Sequence, residues 1–340
     1  FGSRLAIGSS KSHLQFRRTM MASGPRSHPL PPFAGSRLFV GLFAALGLDS
    51  AFAAGSEVAD GWPQSLEFLS SVDDDAFFDF VTPLANMTRF TYTATWGSYY
   101  KPVEANATHP GWLRGCLEAN PKGGGMRALT FLQPSTARGV VAFRGTDLGS
   151  APSARADTCA DALLDGSPLP SDCGAWSNET LDYLARALEI SEAAAREHPD
   201  VRWLYTGHSL GALLAEAVAA VRGARALTFA APAVASVLRN RTATDPGGVA
   251  PWGVVALYNE WDPLRYEAKG ELPGASCIWS TGRAPPGCRE CDLSGKKMDL
   301  QIPACRTCFM ETHVYAHYFR LVETRQRPMC APAAGPDILF

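Results

Sequence analysis

Residues 201–221 read Val201-Arg202-Trp203-Leu204-Tyr205-Thr206-Gly207-His208-Ser209-Leu210-Gly211 and continue as ALLAEAVAAV. The first five residues have strand character, and the Ala- and Leu-rich run from Ser209 has strong helix propensity. Between them Gly207-His208-Ser209-Leu210-Gly211 fits G-x-S-x-G. Strand, sharp turn and helix are therefore expected in immediate succession, with Ser209 on the turn. Glycines on either side let strand and helix approach while the serine Oγ is held out at the carboxyl end of the sheet. The helix N-terminus beneath it offers N–H groups and a dipole to the negative charge that develops when a hydroxyl attacks a carbonyl. An ordinary strand-to-helix turn could use the same residues, so the surroundings must decide.

Working outward, residues 127–132 (RALTFL) and 139–143 (GVVAF) read as two strands joined through Gln133-Pro134-Ser135-Thr136 in a hairpin. Residues 178–197 read as one amphipathic helix: Leu181, Leu184, Leu188 and Ala195 share a face, Ser177 or Asn178 caps it and Pro199 stops it. Residues 225–229 and 253–258 return as strands, which predicts an α/β fold with a mostly parallel sheet and right-handed crossovers. Upstream, Asp73-Asp74-Asp75 precedes an aromatic-rich run, residues 77–90, that reads as a helix on the sheet's flank.

A serine of ordinary reactivity needs a base, and only His313 and His317 follow Ser209. A carboxylate must hold the imidazole's other nitrogen, and in a fold of this kind it comes between serine and histidine in the chain. Asp262 fits best, just past the strand 253–258 and so at the same sheet end as Ser209; Glu260, Asp292 and Asp299 are rivals.

These residues resemble a known family. Val140-Val141-Ala142-Phe143-Arg144-Gly145-Thr146, GHSLG, Thr228-Phe229-Ala230-Ala231-Pro232, the 259–263 segment and a late histidine look like the class 3 (fungal-type) lipases of the α/β-hydrolase fold, over residues 126–320. The resemblance implies an oxyanion hole from Thr146 (N–H and hydroxyl) and the N–H of Leu210. It also implies His313 as base, because Tyr318 supplies the aromatic that the family often carries five positions after its histidine. The family usually has Gly where this chain has Ala230. It places its lid where residues 147–177 lie here, with Leu163, Leu164, Leu169 and Trp176 among prolines; a surface loop packed down permanently on the core is the alternative.

Nine cysteines occur. Cys288-x2-Cys291-x13-Cys305-x2-Cys308 approaches a four-thiolate zinc spacing. The expected compartment favours disulfides instead, with Cys159 and Cys173 closing a small loop near the site. That compartment is read from the N-terminus. The native start is expected at Met20 or Met21, basic residues precede an apolar run at positions 38–48, and Ala51-Phe52-Ala53 suits signal peptidase. A run of 11 residues is too short for the ~20 that span a bilayer. Four sequons, at Asn86, Asn106, Asn178 and Asn240, follow the leader.

The expected organisation is a leader at 1–53, a flanking segment at 54–125, a single catalytic core at 126–330 with a Cys-rich insertion at 277–308, and a tail at 331–340. The 340 residues carry 31 Lys plus Arg against 33 Asp plus Glu, a formal charge of −2 that offers no footprint for nucleic acid. The leader holds six Lys or Arg and one acidic residue, leaving −7 on the remainder, which does not favour anionic membranes.

The expectation is thus a secreted or lumenal serine ester hydrolase, foremost a triacylglycerol lipase, with no cofactor and no metal. Its partners would be lipid or other esters, at a lipid interface for some, and the mature chain would hold no integral membrane segment. A phospholipase A1 or a feruloyl-type esterase shares this machinery. An inactive hydrolase-fold binding protein would usually lack a triad member, and none is missing. A metal-dependent hydrolase would want a His-rich ligand set, which the sequence does not offer.

Overall fold

The computed structural model describes residues 62–93 (position 64 excepted), 103–104, 112–119, 126–148, 152–242, 249, 252–268, 274–293 and 300–332. The leader, the tail beyond 332, Asn106 and Asp299 lie outside them.

In chain order the first elements are α1 (Asp74–Thr93), β1 (Val103–Glu104), β2 (Leu113–Ala119), β3 (Arg127–Gln133), β4 (Arg138–Phe143) and α2 (Pro152–Asp165). Then come α3 (Asn178–Leu181), α4 (Tyr183–Glu197), β5 (Arg202–Gly207), α5 (Leu210–Arg222), β6 (Arg225–Phe229) and α6 (Ala235–Arg241). The last are β7 (Val254–Asn259), α7 (Pro263–Glu267), β8 (Ala275–Trp279), α8 (Pro303–Thr312), α9 (Tyr315–Glu323) and β9 (Met329–Pro332).

The nine strands among the described residues lie in one sheet in sequence order. Strands β4 to β8 are parallel, β1 to β4 pair antiparallel, and β9 runs antiparallel on β8. The β3/β4 hairpin turns as expected, with Gln133 opposite Arg138. Parallel neighbours need crossovers, and each of the four is supplied by helix. This is the α/β-hydrolase fold.

The unbroken apolar runs follow from burial on both faces. In β4, Val140 and Ala142 join a core that includes Phe77, Phe78 and Leu84 of α1 with Tyr318 and Leu321 of α9. Val141 and Phe143 point the other way, into a core with Leu184 and Ala187 of α4 and Leu213 and Leu214 of α5. The flanking helix expected at 77–90 is α1, whose start is capped by Asp73: its Oδ1 accepts the Ala76 N–H at 2.8 Å.

One expectation is corrected. Residues 178–197 are two helices, because Asp182 leaves helical geometry (φ −77°, ψ 72°) and its side chain accepts the Ala185 N–H to start α4 anew. Its other oxygen takes a 2.6 Å bond from Arg241, which makes the break a tertiary feature. Among the described residues, no helix is long and apolar enough to cross a membrane, and no group of three His, Cys, Asp or Glu is arranged to hold a metal.

Candidate active site

The passage from β5 to α5 takes two residues. His208 bridges Phe229, and the Ser209 N–H donates to the Phe229 carbonyl at 3.0 Å, so β6 backs the turn. Ser209 lies at φ 57°, ψ −127°, a conformation that costs an L-residue on the order of 1–3 kcal/mol. A Cβ on Gly207 would lie 2.3 Å from the Gly211 carbonyl oxygen, and one on Gly211 would lie 2.3 Å from that of Phe143. Only glycine at both positions lets β4, β5 and α5 meet this closely. Leu210 opens α5, where an N–H has no intrahelical acceptor.

Helix α8 ends at His313. Its Nε2 lies 2.9 Å from Ser209 Oγ and its Nδ1 lies 3.0 Å from Asp262 Oδ2. A carboxylate can only accept, so Nδ1 carries the proton and Nε2 is free to accept the serine O–H. Asp262 is fully buried beyond β7. Its Oδ1 accepts the Leu264 N–H at 2.9 Å, and its Oδ2 accepts the Tyr318 O–H at 2.5 Å. Tyr318 in turn accepts the Asn259 N–H at 3.0 Å. Phe309, one turn before His313 on α8, stacks on the imidazole with ring centroids 4.3 Å apart.

Glu260 and His317 have other work. Glu260 accepts from Gly282 N–H (2.6 Å), Ser280 O–H (3.0 Å) and both donors of Thr281. Burial pushes its carboxyl up, but these donors outweigh burial and hold it below the ordinary carboxylate value. Asp292 follows Cys291 in a disulfide-linked turn. The His317 Nε2 accepts from Asn259 Nδ2 at 2.7 Å, and burial lowers its affinity for a second proton.

The segment carrying Thr146 is anchored to α2. Arg144, buried, donates to Asp157 at 2.7 Å, and the same carboxylate accepts the Asp147 N–H and the Tyr183 O–H. Burial pushes the Asp157 carboxyl up, against the pull of Arg144. The Thr146 hydroxyl donates to Asp161 at 2.8 Å. Its single proton is therefore committed to α2, and the N–H is the donor Thr146 has left to offer. Asp157 and Asp161 escaped sequence reading because residues 152–165 were not read as a helix; four residues apart on one, they share a face.

The apolar residues expected in a lid are mostly packed down. Leu164 is buried, Leu163 and Trp176 are half-buried against the Cys159–Cys173 disulfide, and only Leu169 is exposed. The zinc-like cysteines pair crosswise instead, Cys288 with Cys308 and Cys291 with Cys305, tying a turn to α8. Trp261 packs on this knot, and the Thr312 hydroxyl, which donates to the Cys308 carbonyl at 2.7 Å, lies 3.3 Å from the Trp261 carbonyl, next to Asp262. A fourth disulfide, Cys277–Cys330, joins β8 to β9.

No protein-family model and no curated protein matches the chain. Solved structures that resemble it include fungal lipases. Lipase II from Rhizopus niveus is 15% identical (TM-score 0.40, covering 61% of this chain and 82% of that one). The Lip2 lipase from Yarrowia lipolytica is 14% identical (TM-score 0.39, 62% and 81%). A mono- and diacylglycerol lipase from Aspergillus oryzae is 16% identical (TM-score 0.36, 64% and 83%).

Proposed function

We propose that the protein is a serine carboxylic-ester hydrolase that works through an acyl-enzyme on Ser209. The observation that carries this reading is the hydrogen-bonded line Ser209–His313–Asp262, with the serine held on a strained turn at the carboxyl ends of parallel strands. Ser209 Oγ attacks the ester carbonyl as His313 Nε2 takes its proton, and Asp262 stabilises the imidazolium through Nδ1–H. The tetrahedral oxyanion is received by the N–H groups of Leu210 and Thr146. Its collapse expels the alcohol, which leaves with the proton from His313. Water, deprotonated by the same nitrogen, then releases the acid and restores the serine.

Within this class a triacylglycerol or similar lipid ester is the favoured substrate. Leu148 (58% exposed) lies two residues past Thr146, and Met310 (49%) lies three before His313, so large apolar side chains flank two parts of the site. Phospholipase A1 and feruloyl-type esterase activities use the same machinery. Four disulfides support an oxidising compartment, extracellular or lumenal. The packing of α2 favours a fixed pocket wall over a closing flap. The test is hydrolysis of a chain-length series of p-nitrophenyl esters and of triacylglycerol across its solubility limit. Rising rates with acyl length and smooth saturation through that limit are expected. A preference for acetyl or feruloyl esters would remove the lipid assignment, and a sharp rise at the limit would restore the lid.

A further inference from the structure

His208, the variable residue of G-x-S-x-G, is buried with both ring nitrogens engaged. Its Nε2 lies 2.7 Å from the carbonyl oxygen of His313, and its Nδ1 lies 2.8 Å from the hydroxyl of Tyr92, at the end of α1. A carbonyl can only accept, so Nε2 carries the proton. Nδ1 is then a lone pair, and Tyr92 must donate to it. The Tyr92 oxygen also packs directly against the backbone of Gly145. The approach is so close that a Cβ on Gly145 would stand 2.3 Å from the hydroxyl.

Both protons in this chain therefore have one direction: Tyr92 O–H to His208 Nδ1, and His208 Nε2–H to the His313 carbonyl. Each contact falls on a different part of the site. Gly145 precedes Thr146, His208 precedes Ser209, and the far end is the backbone of His313 itself. Tyr315 supports the link by stacking on Tyr92 (centroids 5.5 Å apart) and meeting His208 edge-on at 5.2 Å. Burial, reinforced by the neighbouring His313, lowers the pKa of His208 well below its ordinary value, which keeps one acceptor and one donor on the ring.

We propose that Tyr92 and His208 are positioning residues, a polar brace that sets the oxyanion-side backbone, the nucleophile turn and the His313 imidazole relative to one another. The proposal rests on the ester-hydrolase reading above. Those three segments come from distant parts of the chain, and displacing a reacting group by about 1 Å can cost on the order of 100-fold in rate. A mere packing role would need the rings of Tyr92 and His208 but not their proton order.

Tyr92→Phe keeps the ring and removes only the hydroxyl, leaving His208 Nδ1 without its donor. With p-nitrophenyl butyrate, kcat is expected to fall ~10- to 100-fold with KM nearly unchanged, in a variant that still melts cooperatively. A lowered melting temperature with kcat unchanged would overturn the brace and leave a packing role. Independently of turnover, the ¹⁵N shifts of labelled imidazole in the wild-type protein should put the His208 proton on Nε2; a proton on Nδ1 would overturn the brace even if Tyr92→Phe does not fold. Wild-type protein that neither hydrolyses esters nor reacts with a fluorophosphonate would instead sink the hydrolase reading, and the brace would be judged by the tautomer alone.

Discussion

At Ser209 the chain turns from β5 into α5 within two residues, and the strain at φ 57° is held by backbone from β4 and β6. At His313, 104 residues later, the imidazole hangs from the end of a ten-residue helix held by two disulfides, a buried carboxylate and a stacked phenyl ring. The first half needs glycines and strand order; the second needs covalent cross-links and side-chain partners. They should therefore break in different ways. The nucleophile side is exposed to pH through a buried acid on α5, and the histidine side is exposed to reductant.

Removing a member of the proposed triad should give the largest effect and tests whether the halves form one machine. Ser209→Ala should lose ester hydrolysis by on the order of 10³-fold or more while remaining folded. Fluorophosphonate labelling of wild type should place the adduct on the Ser209 peptide, and a labelled Ser209→Ala protein would defeat the assignment. His313→Ala should match that loss, Asp262→Asn should approach it, and His317→Ala should retain most activity. Comparable losses at both histidines would mean that the wrong base was chosen.

Opening the knot on the histidine side should come next. Each disulfide in such a loop contributes roughly 2–4 kcal/mol. Replacing Cys288 and Cys308 by Ser should lower the melting temperature and reduce kcat, because α8 loses its tie while β5 and α5 do not. Equal activity before and after selective reduction would show that Asp262 and Phe309 suffice to hold the imidazole.

The nucleophile side has its weak point at Glu216 on α5. The Thr228 hydroxyl donates to one oxygen at 2.6 Å, the other is buried without a partner, and burial raises the carboxyl to about 8. Unfolded, a glutamate titrates near about 4.3. Between those values the fold binds the additional proton, so this residue's contribution to stability declines as pH rises through the window and levels off above it. Glu216→Gln should melt higher than wild type at about pH 8 to 9 and lose that advantage near pH 4 to 5. Parallel melting curves for the two proteins across that range would show that the carboxylate is solvated by some route.

The smallest effect is expected at Ala230. It adopts φ 52°, in the left-handed region, where glycine carries no Cβ penalty. Ala230→Gly should stabilise by a few tenths to about 1 kcal/mol without altering activity, since strain and glycine's chain entropy oppose each other. Denaturant melts that show destabilisation would mean that the methyl's packing outweighs the strain.

The central strands, the hairpin, the turn at Ser209 and the candidate set Ser209, Asp262 and His313, whose side chains the fold brings together, could be read from the sequence because each rests on local pattern or on chain order. Strands β8 and β9 could not: Ala275–Trp279 and Met329–Pro332 are short, Cys-containing and paired with each other through Cys277–Cys330. The break at Asp182 was hidden because helical periodicity continues through it, while the capping geometry and the bond from Arg241 depend on distant chain.

Sequence alone singled out Ser209 on its turn and the three groups that a serine mechanism would have to bring together, because a reactive serine needs a base and an orienting carboxylate and the chain offers few of each. Tertiary structure alone decided which cysteines pair, that the Thr146 hydroxyl is spent on Asp161, and that Tyr92 reaches His208 across 116 residues. Local preference falls off within a few residues along the chain. Hydrogen bonds and disulfides act over a few ångströms in space, and only the packed sheet brings residues so far apart in sequence within that reach.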